Sequence, residues 1–255
     1  MSGVERIAAA FAGSGKKAAL MPYLMGGFPD LQRSRAIGHA YADGGADLVE
    51  LGVPFSDPLA DGPVIHAAGT AALKAGATIA GVLEVCADLA PRLPVVIMCY
   101  ANLVLARDDF AARIATAGAA GLIVPDLPLE EAPALLDACD AAGVALVPLV
   151  APTTPDERLE AIGSRARGFL YTVSVTGTTG ERKALSETFA TTVERARAHT
   201  EVPVALGFGI ATPEHAAQAA AAGADGVIVG SRLVRAAAEG EDVRALTEQL
   251  AAGLR

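Results

Sequence analysis

The chain has 255 residues, of which 52% are apolar and only 4% aromatic, and its formal net charge is −9. This length fits one large α/β domain or two small ones. The negative balance disfavours a general binder of nucleic-acid phosphates, which needs a basic patch. No uninterrupted apolar run reaches the roughly 18 residues of a membrane span, so neither a nucleic acid nor a membrane is an expected partner.

Cysteine and histidine spacing gives no sign of a metal site. Cys86, Cys99 and Cys139 are odd in number and widely spaced, which indicates reduced thiols rather than a disulfide framework or a zinc site. The four histidines are scattered as well. Residues 1–17 have the pattern of an amphipathic helix and lack the apolar centre of a signal peptide. We therefore expect a cytoplasmic protein with no metal.

A short pattern recurs along the chain, in which an alanine-rich helical stretch ends at a glycine and an aliphatic run follows. It occurs at residues 44–50, 117–124, 142–147 and 222–229. A glycine at that point can adopt the left-handed conformation that ends helices. The short aliphatic run that follows is typical of a buried parallel strand.

Four further apolar runs bring the predicted strands to eight. Alternation with helices predicts a parallel sheet, and eight units favour a single (β/α)8 TIM barrel over residues 1–255, preceded by an N-terminal helix. The alternative is an open doubly wound sheet, which usually has a Gly-x-Gly-x-x-Gly turn where this chain has Met25–Pro29. The added strands are Ala19–Met25, Val95–Tyr100, Phe169–Ser174 and Val202–Phe208, and the helical stretches include Gln32–Asp43, Ile79–Leu89, Asp109–Ala117, Glu130–Ala142, Glu187–Ala198 and Pro213–Ala222.

The predicted second strand, Asp47–Leu51, contains a glutamate among apolar residues. Strand alternation places Leu48 and Glu50 on one face, and a buried carboxylate needs a partner or a function. The loop that follows carries Asp57 and Asp61 among three prolines, which restrict the backbone. Several acids held at a strand end suit proton-transfer chemistry. The alternative is a Glu–Arg ion pair beside a solvated acidic loop.

The other polar and glycine-bearing segments also fall at predicted carboxyl ends of strands, where barrels of this kind place their active sites. Glycine turns let backbone N–H groups approach a phosphate, and a helix N-terminus adds a favourable dipole. The alternative is that these glycines only make tight turns. Residues 175–186 predict either a closing lid or a plain surface loop. The segments are Tyr100–Asn102, Pro125–Asp126, Tyr171, Thr179–Gly180, Gly207–Gly209 and Gly230–Ser231.

The stretch Glu50–Pro63, ELGVPFSDPLADGP, resembles the signature of the tryptophan synthase alpha chain family. The similarity continues in order through the rest of the chain. It includes Tyr100–Asn102, Pro125–Pro128, Tyr171, Thr179–Gly180, Gly207–Ile210 and Gly230–Ser231.

This resemblance implies a lyase that splits indole-3-glycerol phosphate into indole and glyceraldehyde 3-phosphate by a retro-aldol reaction. Glu50 would be the general acid and base, and Asp61 would hold the indole N–H. The resemblance also implies no cofactor in this chain and a beta-chain partner that carries pyridoxal phosphate, in an alpha2-beta2 heterotetramer. The phosphate would bind at Gly180, Gly209, Gly230 and Ser231, while Tyr23, Met98, Tyr100, Tyr171 and Thr179 would shape the pocket.

Three positions depart from the family pattern: the Met25–Phe28 turn, Thr178 and His66. None changes Glu50 or Asp61, so they bear on the mouth of the site and on its lid. Three other functions share some of these features. They are a stand-alone lyase that releases free indole, a non-catalytic phosphate-sensing subunit, and a different phosphate-binding barrel such as a sugar-phosphate isomerase.

Overall fold

A computed structural model describes residues 1–173, 182–207 and 209–255; for residues 182–189 it describes the backbone only. Nine strands occur in this part of the chain, and every recorded pairing between them is parallel. They are β1 (Ala19–Met25), β2 (Val49–Gly52), β3 (Val95–Met98), β4 (Gly121–Ile123), β5 (Ala145–Val147), β6 (Leu149–Val150), β7 (Leu170–Val173), β8 (Val204–Gly207) and β9 (Gly226–Val229).

The sheet closes into a barrel at a proline. Its strand order is β5-β4-β3-β2-β1-β9-β8-β7-β6, so the two outermost strands are separated in the chain only by Pro148. Proline has no N–H to donate and interrupts the ladder, while its carbonyl accepts the Tyr171 N–H at 3.0 Å. Consequently β5 pairs with β4 and β6 pairs with β7. The predicted (β/α)8 barrel is confirmed, with its fifth strand split in two.

Helices cover the outside of the barrel. Several of them begin after a residue whose side chain caps the helix. The side chains of Asp30, Thr78, Thr212 and Asp242 each accept a backbone N–H of the following helix. The helices are α1 (Gly3–Gly13), α2 (Leu31–Asp43), α3 (Pro63–Lys74), α4 (Ile79–Leu89), α5 (Ala101–Leu105), α6 (Phe110–Thr116), a 3-10 turn (Leu129–Glu131), α7 (Pro133–Ala142), α8 (Asp156–Gly163), α9 (Arg182–Arg197), α10 (Pro213–Ala221), α11 (Ser231–Glu239) and α12 (Val243–Gly253).

Successive side chains along a strand point alternately into two hydrophobic clusters, one inside the barrel and one between the strands and the helices. Leu48 belongs to the cluster inside the barrel, whereas Val49 and Leu51 belong to the cluster between strands and helices. Tyr23 and Glu50 are Cα partners of β1 and β2, and side chains paired in this way lie on the same face of a parallel sheet. The predicted inward direction of Glu50 is therefore confirmed.

Helix α1 covers the amino ends of the strands, opposite the rim where the site is expected. Its Ile7 is fully buried in the inner cluster, and the ring of Phe11 lies 5.8 Å from that of Phe169, centroid to centroid. Arg6 donates to the carbonyl oxygens of Ala90 and Gly118 at 2.6 and 2.8 Å. The predicted N-terminal helix thus closes the floor of the barrel.

Several predicted boundaries differ from the observed ones. Pro133 starts α7, so the predicted helix Glu130–Ala142 is preceded by a separate 3-10 turn. Helix α9 begins at Arg182, and the last part of the predicted loop 175–186 is therefore helical. Residues 174–181, which hold the rest of that loop, lie outside the described residues. Within the described ranges, no single helix is long and apolar enough to cross a membrane. Only the pair α3 and α4, which is bent by 109°, has the length and composition of a span when the two helices are taken together.

Candidate active site

Glu50 lies in the barrel interior as the second residue of β2, which ends two residues later at the carboxyl rim. Glu50 is 2% exposed, and its buried Oε2 atom has no hydrogen-bond partner among the residues that the structure describes. Burial, reinforced by the negative charge of Asp61, raises the pKa of Glu50 from 4.5 to about 8. The alternative of a Glu50–Arg ion pair is wrong for the described residues, because no arginine is paired with Glu50 there. Near neutral pH this side chain holds a proton that it can give up.

Asp61 lies in the loop between β2 and α3, half-buried at the same rim. Burial raises the pKa of its carboxyl group, while hydrogen bonding from the Tyr100 hydroxyl opposes that shift. The Tyr100 hydroxyl also accepts the Ala60 N–H at 3.0 Å. The Tyr100 ring stacks on Phe55 with centroids 5.2 Å apart. Tyr100 therefore holds the loop that carries Asp61.

Two buried tyrosines flank Glu50, from β1 and β7. Tyr23 and Tyr171 are 5% and 6% exposed. Burial raises the pKa of both phenols, and the negative charge of Glu50 raises both further. Met98, at the end of β3, packs against both the inner cluster and the smaller cluster that contains Tyr23.

Each tyrosine needs a glycine on the neighbouring strand. A Cβ atom on Gly52 would lie 2.0 Å from the Tyr23 hydroxyl oxygen, and one on Gly207 would lie 2.5 Å from Cε2 of Tyr171. Neither role emerged from the sequence. Gly52 follows Glu50 by two residues, so alternation places it on the inward face, but its clearance for a tyrosine depends on the register between strands.

Two of the three predicted phosphate-binding glycines, Gly209 and Gly230, follow the last two strands. Gly230 precedes α11, and Ser231 is the first residue of that helix. First-turn N–H groups of a helix lack intrahelical acceptors. Gly209 has φ +78°, a conformation that favours glycine. Gly180 and Thr179 lie outside the described residues. No cluster of three or more His, Cys, Asp or Glu side chains suited to a metal occurs in the described residues.

Comparison with known proteins identifies the family. A family model described as tryptophan synthase alpha chain matches residues 10–253. The chain belongs to the tryptophan synthase alpha chain family. The resemblance inferred from the sequence is thereby confirmed.

Relatives and solved structures agree with this membership. The tryptophan synthase alpha chain of Gloeobacter violaceus is 48% identical over 236 residues, covering 90% of this chain and 86% of that protein. The one from Prochlorococcus marinus is 49% identical over 221 residues, covering 85% and 80%. Tryptophan synthase from M. tuberculosis has a TM-score of 0.90 at 39% identity, covering 98% of each chain. The subunit alpha structure from Legionella pneumophila has a TM-score of 0.88 at 34% identity, covering 100% and 98%.

The tryptophan synthase alpha chain fold brings those predicted site residues that the structure describes to one end of the barrel. Glu50, Asp61, Tyr23, Met98 and Tyr100 come from the first three strands and the loops that follow them. Tyr171 reaches the same interior from β7, and Gly209, Gly230 and Ser231 follow the last two strands. Asp57, by contrast, is exposed and bonds to its neighbour Ser56, which separates it from the buried carboxyl group of Glu50.

Proposed function

We propose that the chain is a carbon–carbon lyase that cleaves indole-3-glycerol phosphate to indole and glyceraldehyde 3-phosphate. The observation that carries this proposal is Glu50, a buried glutamate with one unpartnered oxygen and a pKa of about 8. General acid–base catalysis works best when the pKa of the group lies near the working pH. Glu50 meets that condition because of where the barrel holds it.

One glutamate balances the protons of the whole reaction. Protonated Glu50 gives its proton to the indole carbon that bears the side chain, which leaves a positive charge on the ring. The resulting carboxylate then takes the proton of the glycerol hydroxyl next to that carbon. As the carbon–carbon bond breaks, its electron pair neutralises the ring and the hydroxyl carbon becomes the aldehyde. The protons and electrons of this reaction balance without water, a metal or an oxidant.

Asp61 supplies the second role, since it would accept the indole N–H and stabilise the cationic ring. Support comes from the different surroundings of the two carboxyl groups. Glu50 lacks a partner for Oε2 among the described residues, whereas burial raises the pKa of Asp61 and a hydrogen bond from Tyr100 opposes that rise. Two carboxyl groups whose environments separate their pKa values are suited to different roles. Tyr23, Met98, Tyr100 and Tyr171 would shape the pocket for the ring.

The phosphate would bind at the backbone of Gly209, Gly230 and Ser231, with Gly180 and Thr179 completing the site. Helix α11 is nine residues long and starts beside Gly230. Its N-terminus offers N–H groups and the positive end of the helix dipole to an anion. Backbone donors of this kind suit a chain whose net charge is −9.

We also propose that the chain works with a tryptophan synthase beta chain that carries pyridoxal phosphate, in an alpha2-beta2 assembly in the cytoplasm. One similar structure, from Pyrococcus furiosus, concerns mutual activation of the tryptophan synthase a2b2 complex; it has a TM-score of 0.86 at 36% identity and covers 92% of this chain and 98% of that one. Leu59, in the loop that carries Asp61, is 90% exposed. Its side chain is available for contact with a protein partner at this rim.

The deciding experiment measures indole release from indole-3-glycerol phosphate by the purified chain, alone and with a beta chain loaded with pyridoxal phosphate. We expect slow release alone and much faster release in the complex. A high rate without the partner would favour the stand-alone lyase. No release under either condition, with the beta chain still activated, would favour the phosphate-sensing subunit and refute the proposed reaction.

A further inference from the structure

The hydroxyl group of Tyr23 lies at the rim, beyond the level of Glu50. Tyr23 pairs with Glu50 through the register of β1 and β2, yet its hydroxyl oxygen lies only 2.0 Å from where a Cβ of Gly52 would be. Gly52 is two residues further along β2. The ring therefore extends from the level of Glu50 toward the carboxyl end of the barrel, in the direction of the loop that carries Asp61.

This hydroxyl has a poor partner in the protein. Within the described residues its hydrogen bond goes to the Sδ atom of Met25, at 4.0 Å, and a thioether sulfur is a weak acceptor. A buried hydroxyl usually has a stronger acceptor, because leaving a polar group unsatisfied costs free energy. The O–H donor of Tyr23 can therefore exchange this weak bond for a stronger acceptor that enters the site.

Both proposed acid groups lie close enough to Tyr23 for their charges to act on its phenol. The negative charges of Asp61 and then Glu50 raise the pKa of the phenol, after burial itself. The Tyr23 hydroxyl thus remains protonated throughout the working pH range. Glu50 in turn has a buried Oε2 atom with no hydrogen-bond partner among the described residues.

We propose that the Tyr23 hydroxyl donates a hydrogen bond to the substrate hydroxyl whose proton Glu50 removes. This inference rests on the proposed function and adds a catalytic residue to it. The substrate oxygen gains negative charge as its proton leaves and then becomes the aldehyde oxygen. A fixed donor at that oxygen stabilises the charge where it develops, and Gly52 is what leaves room for the donor.

The test is Tyr23→Phe, compared on two ligands that differ only in the hydroxyl groups of the chain. The first is indole-3-glycerol phosphate, and the second is an indole with a plain three-carbon chain ending in phosphate. We expect kcat/KM for the first to fall about five- to tenfold, the size of one neutral hydrogen bond. The Kd of the second should stay within about twofold, because it offers no oxygen to Tyr23.

A matched control removes a buried hydroxyl elsewhere. Tyr41 lies on α2, fully buried in the outer cluster, so Tyr41→Phe makes the same chemical change away from the site. It should leave kcat/KM and the Kd of the second ligand unchanged. Binding to the hydroxylated substrate is then measured directly in Glu50→Gln, which holds it without turnover, with and without Tyr23→Phe.

Three outcomes would overturn the inference. Equal losses on both ligands would mean that Tyr23 acts on the ring or on the protein, not on the hydroxyl. An unchanged kcat/KM would mean that the hydroxyl has no role. A loss of the same size in Tyr41→Phe would indicate a general structural effect. If the unmodified protein cleaves substrate while Tyr23→Phe behaves identically, only this inference fails; if the unmodified protein and its complex do not cleave, the proposed function fails as well.

Discussion

Two acids close together in the chain, Asp47 two residues before β2 and Glu50 within it, contrast the two rims of the barrel. Asp47 is paired: its Oδ1 atom lies 2.9 Å from Nζ of Lys16, and its Oδ2 atom accepts the Leu20 N–H at 2.7 Å. Glu50, three residues later, leaves Oε2 without a partner. The segment Asp47–Glu50 therefore carries a satisfied acid toward the amino rim and, within the described residues, an unsatisfied acid toward the carboxyl rim.

The satisfied arrangement is repeated at the amino rim. Asp225, before β9, accepts the Val204 N–H at 2.9 Å with one oxygen, and the other lies 2.9 Å from Arg197. In both cases an aspartate after Gly-Ala links its own strand to the preceding strand in the barrel. Bonds of this kind hold the register of neighbouring strands. The amino rim thus serves stability, while the carboxyl rim keeps polar groups available for a ligand.

Glu50→Gln should have the largest effect, and that effect should fall on the chemistry. Glutamine matches the shape of glutamic acid but can neither donate nor accept the transferred proton. Indole release should fall by about 10²- to 10⁴-fold, the usual contribution of general acid–base catalysis. Thermal unfolding should show that the variant is at least as stable as the parent. A rate within a few-fold of the parent would contradict the acid–base role.

Asp47→Ala should show the opposite pattern. Breaking a largely buried ion pair leaves Lys16 without its countercharge, and we expect a loss of about 3 kcal/mol in the free energy of unfolding. The kcat of the folded protein should stay within about twofold, since a change this far from the chemistry is worth little. Urea unfolding and indole release, measured on the same preparation, check both expectations.

Asp47→Asn is the matched control, because asparagine keeps an oxygen for the Leu20 N–H and loses only the charge. It should be destabilised less than Asp47→Ala. The proposed difference between the two rims would be wrong if the kcat of either Asp47 variant fell in proportion to its loss of stability. It would also be wrong if Asp47→Ala unfolded at the same urea concentration as the parent.

The pH dependence of stability gives a second measure of Glu50. Its folded pKa of about 8 lies above its ordinary value of 4.5, so the folded protein binds the proton more tightly than the unfolded chain. The stabilisation from this proton is complete below pH 4.5 and is lost as the pH rises through about 8. The loss is at most about 1.4 kcal/mol per pH unit across that window.

Glu50→Gln lacks this proton equilibrium, so its stability relative to the parent should increase from pH 5 to pH 8.5. Unfolding of both proteins in urea at several pH values gives the difference directly, and all other titrations cancel. A difference that does not change with pH would show that Glu50 ionises normally in the folded protein.

The same contrast explains which features the sequence could predict. Glycine-ended repeats and period-two alternation are local patterns, and they correctly predict the barrel and the inward direction of Glu50. The partner of Asp47 is 31 residues away, and no local pattern identifies it. The fit of Tyr23 over Gly52 depends on strand register, which a single sequence does not specify.

The split fifth strand was also beyond local patterns. Pro148 is visible in the sequence, but whether it ends a strand depends on the neighbours of that strand. Here β5 pairs with β4 and β6 pairs with β7, so both halves are retained because the barrel closes there. Pro148 lacks only its own backbone N–H. Because the barrel closes at this point, the residues before it pair with β4 and the residues after it pair with β7.

Gly230→Val should have the smallest effect, and it tests whether the carboxyl rim binds the phosphate through its backbone. A Cβ atom at Gly230 would lie 3.7 Å from Cβ of Tyr23 and 3.9 Å from Cδ1 of Ile65, both ordinary contacts. Gly230→Ala should therefore leave KM almost unchanged. The two further methyl groups of valine would crowd the anion, and KM for indole-3-glycerol phosphate should rise about tenfold, equivalent to about 1.4 kcal/mol.

The two substitutions separate crowding from a general disturbance of α11. Steady-state kinetics of both variants, together with competition by inorganic phosphate, make the comparison. A phosphate site at this backbone requires that valine weaken both the substrate and the phosphate while alanine weakens neither. If alanine raises KM as much as valine does, the position matters for folding of the turn; if valine leaves KM unchanged, the phosphate binds elsewhere on the rim. In that case the carboxyl rim would bind the ring at one place and the anion at another, with different unsatisfied polar groups at each.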